Sequence, residues 1–197
     1  MLLEAFSNSS KHRSMSLCIV GDGPERDALM ARARELGILG RLENEPGRVF
    51  FAGWRSQREC AQFLNRCDVM VLPSVLECGG AAVLEAMASS RPVIAAGWGG
   101  PADYLDPSCG ILIAPTTKKA FVSGIEEAII TLASSPEKRA AMGQAGRRKA
   151  VQDFDWEVKV DRMLDVYQSA INRYAAQRRE QGRMNSHERR WRPTFAK

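Results

Sequence analysis

Five short apolar runs alternating with helical stretches predict a doubly wound α/β domain, a Rossmann-like parallel sheet covered by helices on both faces, with further helices at the C-terminal end. The runs SLCIVGD (16–22), RVFFAG (48–53), DVMVLPS (68–74), RPVIAA (91–96) and GILIA (110–114) are nearly all apolar, as strands buried on both faces are. The chain is 197 residues long and 45% hydrophobic, enough for one ordinary core. After Pro115 the strand signals stop and three helical stretches follow.

The first run ends in Gly21-Asp22-Gly23-Pro24 and leads into PERDALMARARELG, where Leu29, Ala33 and Leu36 share one helical face. Pro24 suits the first turn of that helix and Gly37 its exit. After the second run, Ser56 and Glu59 have the spacing of a capping box, which opens a helix through about Cys67. The third run leads to a loop around Glu77 and a helix from Gly79 or Gly80 through VLEAMASS, with Met87 and Phe63 expected in the core. The last helices are expected at about 117–134, 136–152 and 155–174, with Pro136 opening the second. The domain is therefore placed at 1–172, with a tail at 173–197.

The net charge of +5 does not describe the fold. Residues from Arg173 onward carry eight Lys or Arg against Glu180 and Glu188, whereas 1–172 hold 20 bases and 21 acids. The basic surplus lies in the tail, so no nucleic-acid partner is indicated for the domain. The tail holds little apolar material beyond Trp191 and Phe195 and is expected to be a mobile, solvated end rather than a membrane-surface contact. Five cysteines, Cys18, Cys60, Cys67, Cys78 and Cys109, form no CxxC pair and indicate neither a disulfide framework nor a zinc site. With no signal peptide or apolar span, the expected compartment is the cytoplasm. His12 and His187 alone supply a histidine triad poorly, and Asp22, Asp68 and Asp103 are too scattered for a divalent metal, so no metal or other cofactor is expected.

In a doubly wound sheet, ligands sit beyond the carboxyl ends of the strands, which singles out the loops 21–24, 53–56, 73–80 and 96–101. All four are rich in Gly or Pro. Glycine lets a ligand approach the backbone, and a helix start offers unpaired N–H groups to an anion, so a phosphate-bearing ligand is implied. Arg26 stands where a dinucleotide fingerprint needs its third glycine, which argues against NAD. Glu77 precedes Gly79-Gly80, and Glu85 follows eight residues after Glu77. Carboxylates accept hydrogen bonds from paired sugar hydroxyls, so one reads as a hexose contact and the other as a ribose contact around a diphosphate. Spacing alone does not single out this pair, because Glu35/Glu43 and Glu180/Glu188 are also eight apart; only Glu77/Glu85 follows an apolar strand and encloses Gly-Gly at a helix start, and on the residues alone solvated carboxylates near a helix end stay open as the alternative. Trp98, in the loop after the fourth run, is read as packing rather than stacking on ligand.

The stretch VLPSVLECGGAAVLEAMASSRPVIAAGWGGPADYL resembles the C-terminal half of retaining glycosyltransferases of the family 4 type, which have the GT-B architecture and a motif of two glutamates with seven residues between them. LLEAF, IVGDGPERDAL, VFFAGW, GILIAP and FDWEVKVDRMLDVY extend the likeness over most of 1–172. The resemblance implies a hexosyltransferase that takes a nucleotide-sugar donor and passes the sugar to an unknown saccharide or lipid-linked acceptor. By position it implies Glu77 as the catalytic glutamate near the donor sugar and Glu85 on the ribose. Cys78, Gly79, Gly80 and Ala81 would lie against sugar and phosphate, and Gly21, Gly23, Gly53 and Trp54 would line the nucleotide. Cys78 departs from the glycine common there, and Ala96-Gly97-Trp98 lacks the usual acidic residue. The resemblance also places an Arg/Lys pair, one strand and the acceptor half ahead of LLEAF, so an N-terminal half or partner chain is expected to complete the enzyme. A non-catalytic nucleotide-sugar-binding module and a fragment of a GT-B epimerase are the alternative readings.

Overall fold

The computed structural model describes residues 1–10 and 15–190, with side chains through residue 179. The element order is α1 (Leu2–Ser10), β1 (Leu17–Val20), α2 (Arg26–Glu35), β2 (Val49–Gly53), α3 (Gln57–Arg66), β3 (Met70–Leu72), α4 (Ala81–Ala88), β4 (Val93–Ala96), α5 (Gly100–Tyr104), β5 (Gly110–Ile113), α6 (Lys118–Ser134), α7 (Pro136–Asp153) and α8 (Trp156–Arg190). All five expected strands form, and every strand pair is parallel. The short α5 was not legible, because a five-residue helix opening on Gly-Pro has no periodicity to read.

Local chemistry sets the boundaries. The Ser56 hydroxyl accepts from the Glu59 N–H and the Glu59 carboxylate from the Ser56 N–H, a complete capping box worth about 1 kcal/mol. Thr117 caps α6 through the Ala120 N–H. At the end of α2, the N–H groups of Gly37 and Ile38 return to the carbonyls of Arg34 and Ala33, the paired bonds of a Schellman stop.

The strands divide into two sheets, β1–β2 and β3–β4–β5, where the sequence leads one to expect a single one. No strand lies between β1 and β3 among the described residues, so the edge of each facing away from its partner stays unpaired. Helix α1 covers both sheets: Leu3 and Phe6 pack with Leu17, Ile19 and Val49, whereas Ala5 and Leu2 pack with Val71, Ala96, Phe121 and Ile125. The centre of burial is β4, every residue of which is buried. Met87 of α4 is fully buried beside it, while Phe63 is only half-buried beneath the Arg66 guanidinium and does not join the core.

Residues through Val151 form one compact unit and those from Gln152 another. In the second unit the Asp155 carboxylate accepts from the Glu157 N–H at the start of α8, and the Lys159 ammonium lies 4.9 Å from the Phe154 ring. The helix does not stop near 174 but runs on through Arg190: Ala175, Gln177, Arg178 and Arg179 are good helix formers, no Pro interrupts the stretch, and the helix continues through Gly182. Trp191 and Phe195 of the expected tail lie outside the described residues. Val160, Met163, Leu164, Tyr167 and Ile171 are exposed along α8.

Candidate functional site

Gly80 is the pivot of the loop between β3 and α4. Its φ of +62° is left-handed, a conformation that suits glycine, and it forms the N-cap of α4. The Glu77 carboxylate accepts a hydrogen bond of 2.9 Å from the Gly80 N–H, closing the loop into a tight turn. This alters one expectation: the Gly80 amide is not free for an anion, because Glu77 already occupies it. The open donors at the helix start are the N–H groups of Ala81 and Ala82, while the Val83 N–H bonds to the Gly80 carbonyl. Glu85 lies exposed in α4, and Cys78 and Gly79 are exposed on the loop.

A second loop braces this turn from behind. The Gly100 N–H donates to the Cys78 carbonyl at 3.2 Å. A Cβ on Gly99 would collide with the Glu77 carbonyl oxygen, one on Gly100 with the Gly79 carbonyl, and one on Gly80 would lie 3.2 Å from the buried Pro101 ring. Gly99, Gly100 and Pro101 are therefore site-forming residues. Their signal in the sequence was the Gly-Gly-Pro after an apolar strand, which marks a close backbone approach without saying to what. Gly79 itself faces open space, with nothing within 4 Å of a Cβ built there.

The other candidate residues form a second group. The Gly21 N–H donates to the Gly53 carbonyl at 2.8 Å, tying the loops that follow β1 and β2. Gly21, Gly23 and Gly53 all face open space, as ligand-approach positions should. The Gly23 N–H is engaged by the Asp22 carboxylate at 2.8 Å. Trp54 is 71% exposed, and Trp98 is 59% exposed, so Trp98 is not the packing residue that the sequence suggests. Gly21, Gly53 and Trp54 belong to the two-stranded sheet, whereas Glu77 to Ala81 and Glu85 belong to the three-stranded one; no hydrogen bond joins the two groups among the described residues.

The remaining polar clusters serve the fold. Asp106 accepts from the Lys149 ammonium at 2.6 Å and from Ser108, and these bonds hold its carboxyl down at about 2. Burial pushes the Cys18 thiol up to about 11. Among the described residues no group of three or more His, Cys, Asp or Glu could hold a metal ion, and no helix is long and apolar enough to cross a membrane.

Parallel strands alternating with helices, with glycine loops beyond their carboxyl ends and an acidic turn at a helix start, define an α/β fold of the GT-B kind. Residues 1–149 match the family of glycosyl transferases group 1, and the chain belongs to that family. It is 28% identical over 160 residues to a glycogen synthase of Mycobacterium tuberculosis, covering 81% of this chain and 36% of the relative. To a D-inositol 3-phosphate glycosyltransferase of Mycobacterium bovis it is 31% identical over 171 residues, covering 83% and 34%. Among solved structures, a sucrose-phosphate synthase from Thermosynechococcus elongatus matches with a TM-score of 0.68 at 25% identity, covering 86% of this chain and 42% of that one. The Anabaena protein HepE in complex with UDP matches with a TM-score of 0.68 at 26% identity, covering 85% and 44%. The chain thus spans about a third of the length of the curated relatives it matches.

Proposed function

We propose that this chain is the donor-binding half of a retaining hexosyltransferase and holds a nucleoside-diphosphate sugar against the loops at the carboxyl ends of its strands. The observation that carries the reading is the Glu77–Gly80 turn. It sets a carboxylate directly beside the open Ala81 and Ala82 amides, so an acceptor for sugar hydroxyls adjoins donors for a diphosphate. In this reading Glu77 contacts the donor sugar, Glu85 the ribose, and Cys78, Gly79, Gly80 and Ala81 flank the diphosphate. Gly21, Gly23, Gly53 and Trp54 line the nucleotide. HepE, a relative in fold and sequence, has been crystallised with UDP and with UDP-glucose, which makes uridine nucleotides the first ligands to test.

When the sugar–phosphate bond breaks, positive charge grows at the anomeric carbon and negative charge on the leaving diphosphate. The start of α4 offers its amides and the positive end of its dipole to that leaving group. The Glu77 carboxylate orients the sugar. The departing phosphate, on the family resemblance, helps to take the acceptor's proton, so no histidine is needed. Acceptor positioning supplies about 7 to 11 kcal/mol of barrier reduction in well-oriented reactions. In this reading that contribution comes from a separate half, and this chain by itself transfers sugar poorly.

Calorimetry of the 197-residue chain against UDP, GDP, ADP and UDP-glucose without added metal tests the reading. Binding of at least one nucleotide is expected, and silence with all of them on folded protein would reject it. Glu85→Ala should weaken UDP and UDP-glucose alike. Glu77→Gln retains an oxygen for the Gly80 N–H but loses the charge, and should weaken UDP-glucose more than UDP. Equal losses for both ligands in both variants would contradict the assignment of roles.

A further inference from the structure

Strand β5 is the outer edge of the three-stranded sheet, and its sequence does nothing to guard that edge. Gly110, Ile111, Leu112 and Ile113 include no charge and no proline, and their register against β4 runs without a bulge. Ile111, Leu112 and Ile113 stay half-buried, whereas every residue of β4 is buried. An open groove of about 500 Å³ runs beside the strand, walled by α6 and the start of α7, with the exposed Glu127 and Lys138 among its lining residues.

The backbone of this edge decides what fits there. Pairing with β4 takes the polar groups of Ile111 and Ile113, and the Gly97 N–H on the Ile113 carbonyl at 2.8 Å fixes the direction. By the period of two, Gly110, Leu112 and Ala114 turn theirs outward. Two of those groups are already engaged: the Gly110 N–H donates to the Asp106 carbonyl at 3.0 Å, and the Ala114 carbonyl accepts from the Thr116 N–H at 2.9 Å. The groups left open are the N–H of Leu112 and Ala114 and the carbonyls of Gly110 and Leu112. A second β5, antiparallel about a two-fold axis at Leu112, sets Leu112 against Leu112 and Gly110 against Ala114. Each open N–H then meets an open carbonyl, and the two engaged groups fall opposite each other. An unrelated extended segment would instead present its own donor and acceptor to those engaged groups and leave them unpaired.

The same axis matches the charges. Helix α6 runs back along β5, with Gly124 against Ile113 and Ala128 and Leu132 beside Ile111, and α7 begins beyond that end. Antiparallel pairing therefore lays Lys138 of one copy along the Gly124 to Glu127 stretch of the other. We infer that β5 is the two-fold contact of a homodimer, in which the three-stranded sheets of two copies join edge to edge into one continuous sheet. The Glu77–Gly80 turn follows β3, at the opposite edge of that sheet, so the contact leaves it open and the inference is independent of nucleotide binding.

Sedimentation velocity and amide exchange on the whole 197-residue chain, over about three decades of protein concentration, test it. The expected result is a reversible passage from one copy to two, with exchange at Leu112 and Ala114 slowing by about tenfold or more as the dimer fills. Leu112→Pro removes an outward N–H that no bond within the chain uses, and should leave a single copy. Glu127→Lys and Lys138→Glu, both at exposed helix positions, should each weaken association by about tenfold, and the two changes together should restore it. A mass of one copy at every concentration would leave the edge to another protein and overturn the proposal. So would a dimer that persists in folded Leu112→Pro, or a charge swap that fails to restore association.

Discussion

Gly100 and Gly79 face each other across the brace of the site, and adding one methyl group to each should have opposite consequences. A Cβ on Gly100 would stand 2.6 Å from the Gly79 carbonyl carbon and 3.0 Å from the Cys78 oxygen. The first distance is about 0.8 Å inside ordinary contact, and both neighbours are backbone atoms that cannot rotate away. Relief requires the turn from Glu77 to Gly80 to shift by most of an ångström. Overpacking of this kind costs about 1 to 3 kcal/mol, which in a domain of this size lowers Tm by about 2 to 12 °C. The shift also moves the Glu77 carboxylate and the Ala81 amide, so UDP affinity should fall together with stability. Gly79 has neither a positive φ nor any atom within 4 Å of a Cβ. Gly79→Ala should leave Tm within a degree or two, or raise it slightly by stiffening the unfolded chain, while the methyl group obstructs the ligand face and weakens UDP binding. Differential scanning calorimetry with titration calorimetry on both variants gives the comparison. If Gly79→Ala destabilises as much as Gly100→Ala, or if Gly100→Ala changes neither Tm nor binding, the brace does not hold the site in the way described.

Three further outcomes are expected. The depressed carboxyl of Asp106 contributes stability that is present above its unfolded value of 3.8 and is lost as pH falls towards about 2. Asp106→Asn should therefore flatten the stability profile across that window in urea titrations, and an unaltered slope would remove the Lys149 contact from the account. Iodoacetamide near pH 8 should modify the exposed Cys78 first and leave Cys109 and the raised thiol of Cys18 largely intact, as peptide mass mapping will show. Met87→Ala, at a fully buried side chain beside β4, should lose about 2 to 5 kcal/mol by urea denaturation, and a loss below 1 kcal/mol would mean that the site collapses around the void.

The strands, their parallel class and most helix boundaries are legible in the residues alone. These depend on information carried within a few residues: continuous apolar runs for doubly covered strands, and Ser56 with Glu59 or Gly37 for helix ends. The sequence also placed Glu77, Gly79, Gly80 and Glu85 at one loop and helix start, because a strand, a glycine pair and an amphipathic segment follow one another there without interruption. What those groups do to each other follows from the folded chain. That the Gly80 amide belongs to Glu77 depends on a left-handed backbone at one residue. That Gly99 and Gly100 brace the turn depends on two loops some twenty residues apart meeting behind it. The division of the sheet at β1 and β3 is not written in the strands' own residues, since each reads as interior, and whether an edge is paired depends on which other strand lies beside it; only the resemblance, which sets one more strand ahead of LLEAF, bears on it beforehand. Local chemistry writes the elements and the loop ends into the sequence; hydrogen-bond ownership and edge pairing arise between distant segments and exist only once the chain has folded.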